Sequence, residues 1–360
     1  MTVLGHGYDD NVGAPAFRNV IINGGMSVAQ RNTSVASITT ANYYTADRWN
    51  FNVATAGTWT MSVENDAPTG SGLRKSTKLL VTTGTGSPTF CNFKQTLEGQ
   101  DIQRIAKGTS SAQQLTLSFW VKSNVTGTYI CELYDADNTR QVSASYTISA
   151  SGTWVKKTIT FPADTTGPFD NDNAGSLDVS FGLAFGSTWT SGTLNTTWAS
   201  VTSANRYAGQ TNLAANTSNY WQITGVQLEA GPVATPFEFE PFETTLRKCQ
   251  RYYYRNGGSP YTCLIPWGAA INTSSWESGI HFGVTMRTKP TAVYYGGNLL
   301  TQSQTGIGGI PTSITIDGNV TSAQFVGLVV NKTSGYSAGT FYRLLGDNST
   351  AAYIAIETEL

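Results

Sequence analysis

Residues Leu115–Ser123 read LTLSFWVKS. Leu115, Leu117, Phe119 and Val121 alternate with other side chains, so one face of an extended chain is apolar. A period of two marks a strand packed on one side. The same signature recurs outward from this stretch. Trp59–Val63 (WTMSV), Lys78–Thr82, Phe90–Gln95, Thr128–Tyr134, Ala144–Ile148, Trp154–Phe161, Leu177–Phe185 and Tyr220–Leu228 all read as strands. Asn19–Asn23 (NVIIN), closed by Gly24 and Gly25, reads as another. Gly, Asn, Asp and Ser clusters separate them, and roughly ten strands with frequent turns predict a sandwich or jelly roll. One helix is predicted at Glu98–Lys107 (EGQDIQRIAK), where Ile102 and Ile105 stand three apart.

Composition agrees. The chain has 360 residues, with 52 Thr, 32 Ser and 37 Gly. Its 15 Phe, 17 Tyr and 9 Trp supply apolar mass for a real core. Thr and aromatics suit pleated sheets, Gly and Ser suit turns, and this aromatic content argues against disorder. Charged residues are 12% of the chain, against about 25% in an ordinary soluble domain. With a net charge of −1 there is no basic excess to neutralise phosphates, so nucleic acid is not an expected partner. No long apolar run predicts membrane insertion, and MTVLGHGYDD does not read as a signal peptide.

Residues 231–242 (GPVATPFEFEPF) carry three prolines, which disfavour central strands, and a domain boundary is placed just after them. Glu243–Tyr254 (ETTLRKCQRYYY) has Leu246, Cys249, Gln250 and Tyr253 at helical spacing and predicts a linking helix. Cys263–Pro266, Ile280–Thr285, Ala292–Tyr295, Ser313–Ile316, Ala323–Val330, Thr340–Leu344 and Ala352–Ile356 read as strands of a second, smaller sandwich. The expected organisation is an all-β chain of two jelly-roll-like sandwiches: an arm at 1–17, a jelly roll at 18–242, the helix at 243–254 and a distal sandwich at 255–360.

Three stretches carry a family resemblance. FRNVIINGGMSVAQRN with YTADRW (Phe17–Trp49) resembles the opening of a domain common in bacteriophage tail fibre and minor structural proteins. LEGQDIQRIAKG with QLTLSFWVKSNVTGTY (Leu97–Tyr129) is similar to the carbohydrate-binding-module-like jelly roll of those proteins, as is Tyr207–Tyr254. QLEAGPVATPFE running into CQRYY is the most specific of these phrases, and the ending IAIETEL is similar to the terminal strand of many such fibres. The resemblance covers 17–254 closely and 255–360 more loosely. It implies a virion appendage made in the host cytoplasm, often a homotrimer. Its N-terminal arm would meet other tail or capsid proteins, and its distal domain would face host surface polysaccharide. A capsid decoration or head-fibre protein, a glycan depolymerase tail spike and a cellular carbohydrate-binding module stay open as alternatives. The resemblance also implies a structural calcium held by an acid late in the last jelly-roll strand. Here Thr224 and Gly225 stand in that place and only Glu229 lies nearby, so no cofactor is assigned and a structural calcium stays open.

Chemistry-bearing motifs are sparse. Only His6 and His281 exist, which excludes a multi-histidine metal site. Cys91, Cys131, Cys249 and Cys263 show no CxxC spacing; buried thiols are expected, with a Cys249–Cys263 pair open. Asp135, Asp137 and Asn138 open like a calcium loop, but the sixth position is Arg140 where an EF-hand needs Gly, so a hairpin turn is expected. Asp170, Asp172 and Asp178 read as turn residues, with a calcium site as the lesser alternative. Gly306–Gly309 (GIGG) lacks the GK[ST] of a phosphate loop and reads as a flexible loop. No catalytic residue is assigned, and the chain is read as non-enzymatic.

Sugar contact needs flat aromatic faces with amide and carboxylate neighbours. Trp189, Trp198 and Tyr207, in the long polar loop 186–219, meet that need. Trp267, Trp276, Tyr294 and Tyr295 form a second candidate group. For each ring the plainer alternative is packing, either within the core or between copies.

Overall fold

The computed structural model describes residues 18–360. The arm assigned to 1–17, with His6, lies outside them. Before residue 231 the strands are β1 Ser34–Ile38, β2 Asn42–Tyr43, β3 Asn50–Ala54, β4 Thr58–Glu64, β5 Ser76–Thr83, β6 Phe90–Glu98 and β7 Leu115–Ser123. β8 Gly127–Asp135, β9 Arg140–Ile148, β10 Val155–Phe161, β11 Gly175–Phe185, β12 Ala199–Ser200 and β13 Tyr220–Ala230 follow. They form a six-stranded sheet ordered β1-β4-β5-β13-β7-β10 and a seven-stranded sheet ordered β12-β9-β8-β11-β6-β3-β2. Consecutive strands pass from one sheet to the other at β1–β2, β3–β4, β5–β6, β6–β7, β7–β8, β9–β10, β10–β11 and β12–β13, the crossover pattern of a jelly roll.

The alternation in β7 explains its place. Leu115, Leu117, Phe119 and Val121 all enter the core between the sheets. Trp49 stacks on Phe93 at 4.8 Å, Phe93 meets Trp221 edge-on at 6.0 Å, and Phe119 meets Phe181 at 5.0 Å. Each such buried ring contributes about 1.5–3 kcal/mol of burial energy. The indoles keep their polar edge satisfied: Trp49 Nε1 donates to the Asn23 carbonyl, Trp59 to Ala56 and Trp221 to the Tyr146 hydroxyl.

Two local expectations are overturned. Asn19–Asn23 is a turn rather than a strand. Some of its amides are taken by side chains: Ile21 N–H donates to Asn19 Oδ1, and Gln95 exchanges both its amide bonds with Ile22. Gly24 follows, where a Cβ would stand 2.0 Å from the Val226 carbonyl oxygen. Glu98–Lys107 is not an α-helix. β6 runs through Glu98, and two 3-10 turns, Gly99–Asp101 and Gln103–Ile105, end at left-handed Ala106. Ile102 and Ile105 do reach the core, at the three-residue repeat of a 3-10 turn.

After residue 241 come a helix, Phe242–Gln250, and the strands β14 Tyr253–Gly257, β15 Cys263–Ala270, β16 Ser275–His281, β17 Val293–Gly296 and β18 Leu299–Ser303. β19 Gly306–Gly309, β20 Ser313–Asp317, β21 Phe325–Asn331, β22 Phe341–Gly346 and β23 Tyr353–Glu357 complete the chain. A three-stranded sheet, β14-β23-β17, and a seven-stranded sheet, β19-β18-β22-β15-β16-β21-β20, enclose a second core around Trp276, Leu328, Leu344 and Ile354. The helix is shorter than its spacing predicts, because Tyr253 and Tyr254 pair with Glu357 and Ile356 of the last strand. The GIGG segment is an edge strand paired with β18, not a flexible loop. Cys249 is buried and Cys263 exposed, and all four cysteines are free.

The two cores meet at a buried charged joint. Arg31 pairs with Glu357 at 3.2 Å and Glu359 at 3.3 Å, and Arg48 pairs with Glu359. Arg251 grips Glu98 with two bonds of 2.8 and 2.7 Å, and the Tyr252 hydroxyl donates to the same carboxylate. These residues come from the VAQRN, ADRW, LEGQ, CQRYYY and IETEL stretches, which converge here.

Candidate functional site

The long loop 186–219 folds back over the outer face of the seven-stranded jelly-roll sheet. On β11, Val179, Phe181 and Leu183 enter the core, leaving Ser180 and Gly182 facing out. Tyr207 fills that face. Its ring stacks on Phe185 at 3.6 Å and presses so close over Gly182 that a Cβ there would lie 2.8 Å from it. The hydroxyl reaches Ser180 at 2.9 Å and Glu132 at 2.8 Å, and Arg206 forks onto Glu132 at 2.5 and 2.7 Å. Tyr207 is 1% exposed and offers no ring face to a sugar, a correction to its candidacy. Trp189 packs edge-on against Phe90 and Phe185. Trp198 donates Nε1 to the Pro162 carbonyl at 2.9 Å. Both are half-buried and pin the loop to the sandwich.

Trp276 is likewise corrected: it is 0% exposed, inside the second core. Trp267, on the neighbouring strand β15, is the opposite case at 44% exposure. The register of β15 against β22 shifts between Ile265 and Gly268. That bulge leaves Pro266 and Trp267 both outside while Leu264, Ile265 and Ala270 turn in. Arg343, opposite on β22, places its guanidinium 4.9 Å from the indole ring. It is held there by two bonds from Nε and Nη2 to Gln302 Oε1, at 3.0 and 2.6 Å. Phe341, two residues before Arg343 and paired with Ala269, is also exposed. Trp267, Arg343, Gln302 and Phe341 thus make an aromatic platform with a fixed polar flank. Arg343, Gln302 and Phe341 were not singled out from the sequence. The alternation in FYRLL, with Tyr342 and Leu344 turned inward, is the signal that points to the outward pair.

Tyr294 and Tyr295 sit side by side on β17 and therefore face opposite ways. Tyr294 lines a cleft of about 210 Å³ with Arg31, Tyr43, Arg255 and Tyr353, on the joint side. Tyr295, 38% exposed, lines a separate pocket of about 450 Å³.

The acids are mostly committed elsewhere. Asp135 is neutralised by Lys107 at 2.5 Å and binds Asn138 within the β8–β9 turn. Asp172 accepts from the Ala174 N–H in a turn, and Asp178 pairs with Lys94 at 2.7 Å. Glu229, where the implied calcium would need a ligand, accepts from Thr235 N–H and Oγ1 at 2.8 Å each and from Gln227 Nε2 at 3.0 Å. Proton-bearing donors occupy both of its oxygens, a set that does not fit a cation. Among the described residues, no group of three or more His, Cys, Asp or Glu is placed to hold a metal ion. Burial raises Asp47 to about 6, against the pull of Arg31 and Gln30, but its carboxylate is sealed inside the joint. Among the described residues no helix is long and apolar enough to cross a membrane.

No protein-family model and no curated protein matches the chain. Among solved structures it is similar to the enzymatically active domain of bacteriophage CBA120 tailspike protein 4, at 15% identity over 59% of this chain, with a TM-score of 0.33. The match spans only 21% of that tailspike chain. It is also similar to the family 11 carbohydrate-binding module of Clostridium thermocellum in complex with a β-1,3-1,4-mixed-linked tetrasaccharide, at 13% identity over 56% of this chain and 99% of that one, TM-score 0.29. A CBM4 structure matches at 10% identity over 58% of this chain and 97% of that one, TM-score 0.29. These scores are too low to carry an argument, and the architecture rests on the strand pairings themselves.

Proposed function

We propose that this chain is a non-enzymatic structural subunit of a phage particle, a tail fibre or similar appendage, that contacts host surface glycans through its second sandwich. One observation carries the glycan reading: the exposed Trp267 ring, braced by Arg343 and Gln302 on a rigid sheet. Such a ring can stack on the apolar face of a sugar without first paying to order itself. The motif resemblance supports the virion assignment. The non-enzymatic reading is supported by the buried carboxylates Glu98, Glu132, Asp135 and Asp164, each paired with Arg or Lys rather than poised as an acid. A homotrimer would present three such platforms and raise weak single-site affinity by avidity. The test is a glycan array probed with the native chain and with Trp267→Ala. Loss of the bound set in the variant supports the reading, and an unchanged set rejects it. Release of reducing sugar from any bound polysaccharide would show the chain to be an enzyme.

A further inference from the structure

We propose that the pocket at Tyr295, Asn298 and Asp347 is a second saccharide subsite, which takes a neutral hydroxyl-rich ring of the same linear glycan that lies on Trp267. The inference rests on the Trp267 reading and extends it.

The pocket has a volume of about 450 Å³ and is bounded by Tyr295, Asn298, Leu299, Ile310, Pro311 and Asp347, within the range of small-ligand sites. Its floor is rigid. Gly297 turns the chain from β17 into β18 at φ +74°, so close to the opposing strand that a Cβ would stand 2.5 Å from the Ala352 nitrogen. The Asp347 N–H donates to the Asn298 carbonyl at 2.9 Å, which locks the two polar residues side by side. Their side chains are uncommitted: the Asn298 amide, the Asp347 carboxylate and the Tyr295 hydroxyl make no hydrogen bond or ion pair among the described residues. An aromatic face, an amide that donates and accepts, and a carboxylate that accepts from adjacent hydroxyls are together the chemistry a pyranose ring needs. Exposed Ile310 and half-buried Pro311 supply an apolar wall for its C–H edges. The ring is neutral rather than acidic, because Asp347 is the one charged residue among those bounding the pocket.

The same two strands lead from this pocket to Trp267. Leu299 pairs with Gly346 beside the pocket, and Gln302 pairs with Arg343 beside the indole. Three residues of strand separate the pairs, about 10 Å at ~3.3 Å per residue. Asn298 and Asp347 lie one residue beyond the ends of β18 and β22, beside the Leu299–Gly346 pair. A linear oligosaccharide lying along β18 and β22 would meet both; a disaccharide would meet one.

The experiment is a glycan array carrying short and long linear neutral oligosaccharides beside acidic ones. It is probed with the native chain and with Trp267→Ala, Tyr295→Ala, Asp347→Ala and Asp347→Asn. Expected is a weakening of about tenfold or more for long neutral glycans in the Tyr295 and Asp347 variants, with disaccharide binding little changed. Trp267→Ala should lose both. Circular dichroism and sedimentation of each variant should match the native chain. If Trp267→Ala abolishes binding while the Tyr295 and Asp347 variants bind as the native chain does, the subsite is refuted and the Trp267 reading stands. If the Asp347 variants lose binding and Trp267→Ala does not, the subsite stands and the Trp267 reading falls. A variant at Tyr295 or Asp347 that changes the oligomeric state instead of affinity makes the pocket a contact between copies and overturns the proposal. A native chain that binds no neutral glycan overturns both.

Discussion

The Arg48 guanidinium lies 3.4 Å from the centre of the Tyr252 ring and pairs through Nη1 with Glu359. Arg48 is fully buried in the first unit, and Tyr252 and Glu359 come from segments that build the second. One cation therefore fastens the linker and the chain's last residues to the jelly roll. Removing it leaves Glu359 with Arg31 as its remaining cation in a dry site. Arg48→Ala should lower unfolding free energy by about 3–5 kcal/mol, and Arg48→Lys should restore little, since an ammonium cannot both stack and fork. Urea unfolding followed by tryptophan fluorescence measures it. A loss below the scatter of surface variants would show that the joint bears no stability.

The joint also sets a pH response. Burial raises Asp47 to about 6 from an ordinary 3.8, so the folded state takes up its proton first. Its destabilising charge is present above pH 6 and is relieved as pH falls toward 4. Glu98 moves the other way: burial pushes it up, but the bonds from Arg251 and Tyr252 outweigh that and hold it below its ordinary 4.5. Its stabilisation is present above that value and disappears as pH falls through the lowered one. Melting temperature should hold or rise slightly from pH 7 to 5 and fall steeply below 4. Asp47→Asn should flatten the upper limb and Glu98→Gln the lower; unaltered profiles in both would place the response elsewhere.

The loop clasp at Tyr207 gives a third expectation. Gly182→Ala drives a methyl into the Tyr207 ring and should destabilise by about 1–3 kcal/mol. The loop should then open to protease between residues 187 and 206, detectable by mass spectrometry of the fragments. Equal cleavage rates in native and variant chains would contradict the packing described here.

Trp267 on β15 faces out of the sheet, and Trp276 on β16 faces into the core. Trp276→Ala empties a buried site and should cost about 3–5 kcal/mol. Trp267→Ala should stay within about 0.5 kcal/mol of native. Thermal melts of the two variants decide it, and similar losses in both would mean that Trp267 is covered in solution.

Calcium should not matter to the jelly roll. Glu229 is already saturated by Thr235 and Gln227, so chelator should leave the melting temperature where it was. A fall that added calcium reverses would reveal a site elsewhere in the chain.

The alternation in LTLSFWVKS foretold β7 and the face it buries, and comparable runs foretold most of the jelly-roll strands. The failures have local causes. Asn19–Asn23 is apolar enough for a strand, but Gln95 captures its backbone. The helical spacing of ETTLRKCQRYYY holds only to Gln250, because the tyrosines gain more from pairing with β23. For the aromatic candidates, residue type was legible and orientation was not. Trp267 and Trp276 read alike, and a bulge between Ile265 and Gly268 separates them. Parts of the stretches that carry the resemblance, VAQRN, ADRW and CQRYY, meet at the joint, where buried Arg31 and Arg48 need particular partners.

By itself the sequence determined that this is a β protein with aromatic cores and no surplus charge, since period, composition and turn residues act over a few positions. Which rings remain open to a ligand, which acids are neutralised, and how the last residues lock onto the first unit were decided only by tertiary structure. Those outcomes depend on strand register and on contacts between residues hundreds of positions apart, such as Arg48 and Glu359, and local pattern carries no information about either.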